Sequence, residues 1–318
     1  MENSHIFLVE YNILFFHTHT MKQQIPNRNV LKRGNHMTKK VAIVTGSSSG
    51  IGFETSLMLA ENGFTVYATM RDLSKSEKIR KIADDKKLSI EVIQLDVTSE
   101  NSVDNAISAI VEQEGQIDVL VNNAGYGLIG PAEELTIDEL RDQFETNLFG
   151  VLRITKKVLP IMRKNQHGTI INLSSTLGKV GIPTMSGYVS SKFALEGLME
   201  SMRYELEPFG IKVVLVEPSI IKTNFLNSSV FAKKTLEETS PYRTLIQKMG
   251  EDVGSKFEKG TSSTEVANVI LQAATSPNPE IRYQVGSDAG FLLDARSKMS
   301  DVDFETFFKL NFLGGNKK

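Results

Sequence analysis

The sequence predicts an α/β fold, a single doubly wound parallel sheet with helices on both faces. Three observations carry this. From residue 39 onward, short apolar runs alternate with amphipathic stretches, the order expected of a βαβ repeat. The runs are continuously apolar, as in Val41-Ala-Ile-Val44, which suits strands covered on both faces. A glycine-rich turn, Thr45-Gly-Ser-Ser-Ser-Gly-Ile-Gly52, follows the first run directly.

The elements follow in order. Val41–Val44 is the first strand. Glu54–Asn62 reads as a helix stopped by Gly63. Thr65–Thr69 and Ile90–Leu95 are the second and third strands, the former rich in β-branched residues. Val103–Glu114 is helical and ends at Gly115. Val119–Val121 is a fourth strand entering Asn122-Asn-Ala-Gly125, and Thr169–Leu173 a fifth. Lys212–Val216 is a sixth, closing on Glu217-Pro218, and Gln284-Val285 lies in a final strand. Residues 222–263 break the alternation. They are rich in Lys, Glu, Ser and Thr with scattered aromatics (Phe225, Phe231, Tyr242, Phe257), and read either as a binding loop or as a solvated helical insertion. Phe304, Phe307, Phe308 and Phe312 recur at helical spacing, which points to packing or a dimer contact. The expected layout is an extension over 1–37, a catalytic domain over 38–290 with a substrate loop at 220–263, and a tail over 291–318.

Composition narrows the function. The 318 residues carry a formal net charge of -2, which disfavours a nucleic-acid partner. No cysteine is present, which excludes disulfides, thiolate catalysis and cysteine metal sites and fits a cytoplasmic protein. The first 36 residues hold four of the five histidines: His5, His17, His19 and His36. Their apolar run Ile6–Phe16 is too short to span a bilayer, and its basic residues follow it rather than precede it. The segment reads as a disordered tail without a metal site, and the native chain is expected to start near Met37.

The chemistry-bearing residues cluster at predicted strand ends, where ligands bind in such sheets. Gly46, Gly50 and Gly52, with Ser48, Ser49 and Ile51 between them, form a turn before a helix N-terminus. Glycine there permits positive φ and close approach of a pyrophosphate, and the helix dipole favours the anion. The spacing differs from Gly-x-Gly-x-x-Gly. At the tip of the second strand stand Thr69-Met70-Arg71. A carboxylate there would select the 2′-hydroxyl of NAD(H), whereas Arg71 suits a 2′-phosphate. The cofactor read is NADP(H), with NAD(H) the alternative if Asp72 engages Arg71. Asp96, followed by Val97, lies past the third strand. It either accepts from the adenine amino group or caps the next helix. Asn123, Ala124 and Gly125 close the fourth strand as a candidate cofactor wall.

Tyr188 and Lys192 are the candidate proton machinery. Of seven tyrosines, only Tyr188 has a lysine four residues on, which shares its face on a helix. A phenol near pKa ~10 is a poor base, and a neighbouring ammonium favours the phenolate. Ser175 can donate to a substrate oxygen, or merely end the fifth strand. Asn147, mid-helix where asparagine is a poor former, can hold a water linking the lysine to solvent.

These residues resemble the short-chain dehydrogenase/reductase family from about residue 39 to about 285. The resemblance rests on Thr45-Gly-x-x-x-Gly-Ile-Gly52, Asn122-Asn-Ala-Gly125, Asn147, Ser175, Tyr188-x-x-x-Lys192 and Pro218. It implies a Rossmann-like domain in which Tyr188 is the general acid or base and Lys192 lowers its pKa and bonds the nicotinamide ribose. Ser175 would orient the substrate and Asn147 complete a proton relay. Asn122 would brace the sheet, Pro218 wall the nicotinamide and Thr223 reach the carboxamide. Ser219 departs from the family's usual glycine after proline. Val66-Tyr-Ala-Thr-Met-Arg-Asp-Leu73 looks like the NADP-linked hydroxysteroid and retinol dehydrogenase branch, which takes bulky apolar alcohols and ketones. Leu177, Val180, Ile182, Pro183 and Met185 would then wall an apolar pocket. The resemblance also implies a homodimer or homotetramer, and the helix stripe Leu195, Leu198, Met199, Met202 reads as core or dimer seam. Two further readings are a 3-oxoacyl-thioester reductase, for which Lys233-Lys234 hints at a carrier-protein surface, and a non-catalytic NADP-binding sensor.

Overall fold

The computed structural model describes residues 39–312 except 224, 258, 259 and 287. The N-terminal extension with its histidines, and the last residues of the tail, lie outside them. Seven parallel strands form the sheet: β1 (Val41–Val44), β2 (Thr65–Met70), β3 (Ile90–Gln94), β4 (Val119–Asn122), β5 (Gly168–Leu173), β6 (Ile211–Pro218) and β7 (Arg282–Val285). Their order is β7-β6-β5-β4-β1-β2-β3. The order reverses beside β1, and the crevice at the carboxyl ends of β1 and β4 is the expected ligand position.

The helices are α1 (Gly50–Glu61), α2 (Glu77–Lys86), α3 (Glu100–Glu114), α4 (Ile137–Phe144), α5 (Gly150–Asn165), α6 (Ser186–Leu206), α7 (Arg243–Phe257), α8 (Ser263–Thr275), α9 (Ala289–Lys298) and α10 (Asp301–Phe312). Each sheet face buries its own apolar cluster. On one side Val41, Ile43, Leu120 and Ile170 meet Ile110, Ile154, Leu195 and Met199. On the other, Ala42, Val44, Val121 and Ile171 meet Leu59, Val266 and Ile270. Alternate residues of one strand thus enter opposite layers, which is why the strand sequences are apolar throughout. Leu195, Met199 and Met202 are spent in this core, and Leu198 packs against it, so the α6 stripe is core.

Three local departures bear on the site. Helix α1 starts at Gly50, four residues before the expected Glu54, because the glycine turn itself winds into the first helical turn. Glycine is a poor helix former, and packing overrides that propensity here. Asn147 sits in a π turn (Glu145–Phe149) joining α4 to α5, not in regular helix. Residues 222–263 are a helical insertion. It contains the turn Phe225–Ser228, the pairing of Val230-Phe231 with Leu128-Ile129, and α7.

Candidate active site

A cavity of about 1120 Å³ opens at the carboxyl ends of the strands. At one end lies the glycine turn. Gly46 and Gly50 take φ of +69° and +59°, which favours glycine. A Cβ on Gly52 would stand 2.4 Å from both the Asn123 amide nitrogen and the Gly46 carbonyl oxygen. Gly52 does not line the cavity. Its smallness lets the turn close on the β4 loop, and only Gly46 and Gly50 of the three glycines face the opening. Thr45 and Asn123 lock that closure. The Asn123 side chain donates to the carbonyls of Thr45 (2.8 Å) and Gly46 (3.1 Å), and Thr45 Oγ1 accepts from the backbone N–H groups of Asn123 and Ala124.

The N-terminus of α1 carries no side-chain cap and no acid in its first turn. Ser48, Ser49, Gly50 and Ile51 present it to the cavity. Unsatisfied N–H donors at a helix start, with the positive dipole end and no competing carboxylate, fit a pyrophosphate. Arg71 lines the cavity at the tip of β2 and makes no ion pair among the described residues. Asp72 does not engage it. Its carboxylate accepts from the Ser74 N–H and hydroxyl, which hold it below the usual carboxylate range. Lys75, one short turn on, lines the same wall and adds a second cation that sequence reading missed, although its spacing after the strand tip is visible. Asp96 accepts from the Thr98 N–H (2.9 Å) and hydroxyl (2.8 Å) in a local turn. The cap of α3 is Ser99, so the capping alternative for Asp96 is corrected. Asp96 and Val97 line the cavity, as do Asn123, Ala124 and Gly125.

At the other end stand Ser175, Tyr188 and Lys192, all buried and all lining the cavity. Ser175 follows β5 and caps a short turn, accepting from the Leu177 N–H at 3.1 Å. Its hydroxyl lies within hydrogen-bonding reach of both the Pro218 carbonyl, at 3.4 Å, and the Tyr188 phenol. Burial pushes the Tyr188 phenol up to about 12, against the lowering effect of the Ser175 hydrogen bond. Lys192 Nζ donates to the Leu173 carbonyl at 2.6 Å and lies 5.7 Å from the Tyr188 ring centroid. Burial lowers Lys192 to about 8, against the raising effect of Glu196. Desolvation therefore favours the neutral form of both groups, so the tyrosine pKa is raised rather than depressed as expected.

Asn147 is buried behind the wall rather than in it. Its amide nitrogen donates to Tyr126 O (3.0 Å) and Ser191 Oγ (3.2 Å), and its amide oxygen accepts from Tyr126 N (3.1 Å). Asn122 donates to Thr155 Oγ1 and Asn172 Oδ1, tying β4 to α5 and β5. Pro218 ends β6 and lines the cavity with Thr223, whose Oγ1 accepts from Phe225 N. Ser219 donates to Asp288 and its backbone N–H bonds Val285 O, which fastens the end of β6 to the start of α9. No local sequence signal announces Asp288. The remaining wall is apolar and comes from distant segments: Leu177, Ile182, Met185, Phe225, Val230, Met249, Leu292 and Phe308. Phe308 also packs with Val180, Ile182 and Leu292, so the tail aromatics are packing residues that reach the cavity. Lys233 lies away from this lining, its backbone N–H bonded to Glu139.

Among the described residues no helix is long and apolar enough to cross a membrane, and no metal-ligand cluster occurs. Residues 40–234 match the short chain dehydrogenase family. The chain is 40% identical over 277 residues to the uncharacterized oxidoreductase YusZ of Bacillus subtilis (strain 168), spanning 86% of this chain and 98% of that protein. It is 36% identical over 250 residues to 3-ketodihydrosphingosine reductase of Bacteroides thetaiotaomicron, covering 79% and 89% of the two chains. It is likewise 36% identical over 259 residues to retinol dehydrogenase 8 of Bos taurus, covering 78% and 82%. Among solved structures, it resembles an alcohol dehydrogenase from Thermococcus sibiricus complexed with 5-hydroxy-NADP. That match has a TM-score of 0.65 and 26% identity, over 78% of this chain and 97% of that one.

Proposed function

This chain belongs to the short-chain dehydrogenase family, and on that premise we propose an NADP(H)-dependent reductase or dehydrogenase of bulky apolar ketones or alcohols, with Tyr188 as general acid or base. The observation that carries the reading is the layout of one cavity. An uncapped helix start flanked by Arg71 and Lys75 occupies one end, and Ser175, Tyr188 and Lys192 converge at the other. A bound nicotinamide supplies or accepts the hydride.

The protein's own residues handle the proton. In reduction, the neutral Tyr188 phenol donates to the substrate oxygen, while the Ser175 hydroxyl fixes that oxygen by a second hydrogen bond. The phenolate left behind is stabilised by the Lys192 ammonium, and the reverse steps run in oxidation. Asn147 holds α4 and α5 against the Tyr126 loop. Its side chain is taken up by Tyr126 and Ser191, so it would serve the relay by holding the π turn in place. Arg71 and Lys75 would engage the 2′-phosphate of NADP(H), and Asp96 the adenine. Pro218 and Thr223 would wall the nicotinamide.

The substrate class rests on the apolar wall drawn from segments far apart in the chain and on similarity to a retinol dehydrogenase and a 3-ketodihydrosphingosine reductase. Phe149 at the end of the π turn and Phe193 and Tyr204 on α6, all large and exposed, support a homo-oligomer. The test is a panel of steroids, retinoids, long-chain ketones and 3-oxoacyl thioesters, read by NADPH and NADH absorbance. Turnover of bulky ketones with preference for NADPH is expected. Turnover of thioesters alone would make the chain a 3-oxoacyl reductase, and NADPH binding without any turnover would make it a sensor.

A further inference from the structure

One helical turn along α6 from Lys192, outside the cavity lining, the fold buries a second charged cluster that the proton transfer does not use. Glu196 lies one helical turn past Lys192 on the same face of α6, and Glu217 is the residue before Pro218 on β6. The two are 3% and 1% exposed. Carboxylates are almost never this buried unless paired. Both reach one cation: Arg282 Nε on β7 is 3.2 Å from Glu196 Oε2 and 3.4 Å from Glu217 Oε1. Lys179, on the turn after β5, is 3.4 Å from the same Glu196 oxygen. Glu200, also on α6, takes the other arm of Arg282 at 2.7 Å.

The cluster is incompletely satisfied. Glu196 Oε1 and the Ser174 hydroxyl are buried without a hydrogen-bond partner, and Glu217 Oε1 has only its 3.4 Å ion-pair contact with Arg282. Gly178 lets them pack closely, since a Cβ there would stand 2.8 Å from Ser174 Oγ and 3.0 Å from Glu196 Cγ. Leaving a carboxylate oxygen unpartnered in the interior is costly, and replacing the group by an apolar residue would remove that cost. What it supplies instead is a negative charge one helical turn from Lys192, an ammonium that burial disfavours and Glu196 favours.

We propose that Glu196 is a positioning residue for Lys192, its buried carboxylate stabilising the ammonium from one helical turn away while Arg282 and Lys179 hold the carboxylate in place. This rests on the reading of Lys192 as part of the proton machinery, but it concerns a property of the lysine that can be observed without turnover. Removing the charge of Glu196 makes Lys192 give up its proton at lower pH. Removing the charge of Lys179, at the partly exposed edge of the cluster, frees more of the Glu196 field for Lys192 and acts in the opposite direction.

The experiment is an NMR titration of protein carrying ¹³C at the lysine side-chain ε carbons, without cofactor, the Lys192 signal being assigned by its loss in Lys192→Arg. Glu196→Gln is expected to move the Lys192 midpoint down by about one pH unit, and Lys179→Met to move it up by less. An unchanged midpoint in Glu196→Gln overturns the proposal. Should that variant not fold, a midpoint in Lys179→Met that stays or falls overturns it equally. Turnover by Lys192→Met at the wild-type rate would instead sink the role of Lys192 in the proposed function and leave the titration result standing.

Discussion

The two ends of the cavity are built by different means. The glycine-turn end is backbone fitted to backbone. Gly52 is packed under the turn, Asn123 spends its amide on the carbonyls of Thr45 and Gly46, and the α1 N-terminus faces the opening. The apolar end is side chain against side chain, with Ile182, Phe225, Met249, Leu292 and Phe308 arriving from segments far apart in the chain. At the first end a single carbon atom has no room. At the second, a lost side chain enlarges a cavity without disturbing its frame.

The largest break in this comparison is expected from Gly52→Ala, whose new Cβ meets Gly46 O and Asn123 at 2.4 Å. Gly46 O is backbone and the Asn123 amide is held by two hydrogen bonds, so the turn must move. NADPH binding followed by fluorescence should weaken by more than about 100-fold, with stability lower by about 1–3 kcal/mol. Binding within a few-fold of wild type would show that the turn is less tightly fitted than its contacts indicate. Next, Arg71→Ala should raise the apparent KM for NADPH by about 10- to 100-fold, the loss of one charge-assisted phosphate contact, and leave NADH nearly unchanged. Equal effects on both cofactors would remove Arg71 from the 2′-phosphate. A milder effect is expected at the apolar end. Phe308→Ala should raise KM for bulky ketones by about tenfold while small ketones and NADPH are handled as before, because only apolar contact is lost. A uniform loss across substrates would mean that Phe308 supports the frame.

The smallest expected effect lies outside both ends. Burial raises the Glu217 carboxyl to about 7, with its neighbour Glu196 adding to the rise and Arg282 opposing it. Its proton is therefore held more tightly in the folded chain. That contribution to stability is fully present below about 4.5 and disappears as pH rises through about 7. In thermal unfolding, Glu217→Gln should gain on wild type between pH 5 and pH 8. A constant difference between the two proteins would contradict this.

The same contrast separates what could be read from the sequence. The parallel sheet was legible because strands buried on both faces leave continuous apolar runs, and the turn because Gly46, Gly50 and Gly52 fall between such a run and a helix. Ser175 was legible as a hydroxyl just past a strand end and Tyr188 by the lysine four residues on, and both line the cavity. The start of α1 was misread because propensity disfavours glycine in a helix while packing at Gly52 requires it there. The π turn at Asn147 left no periodic signal beyond a poorly placed asparagine. The Ser219–Asp288 contact and the joining of Glu196 to Glu217 through Arg282 were invisible, since each depends on residues brought together only by the sheet order. Residues 222–263 showed their break in alternation but not which aromatics face inward. Phe225 lines the cavity and Phe231 does not.

The central claim is that Tyr188 moves the proton in a site whose dinucleotide end is assembled independently of it. Tyr188→Phe keeps the ring and its edge contact with Phe225 but removes the hydroxyl to which the account assigns the proton transfer. Turnover of a bulky ketone, measured by NADPH absorbance, should fall by about 10²–10⁴-fold, while the dissociation constant of NADPH stays within about twofold. A variant that retains a tenth or more of wild-type turnover with intact NADPH binding would contradict the account.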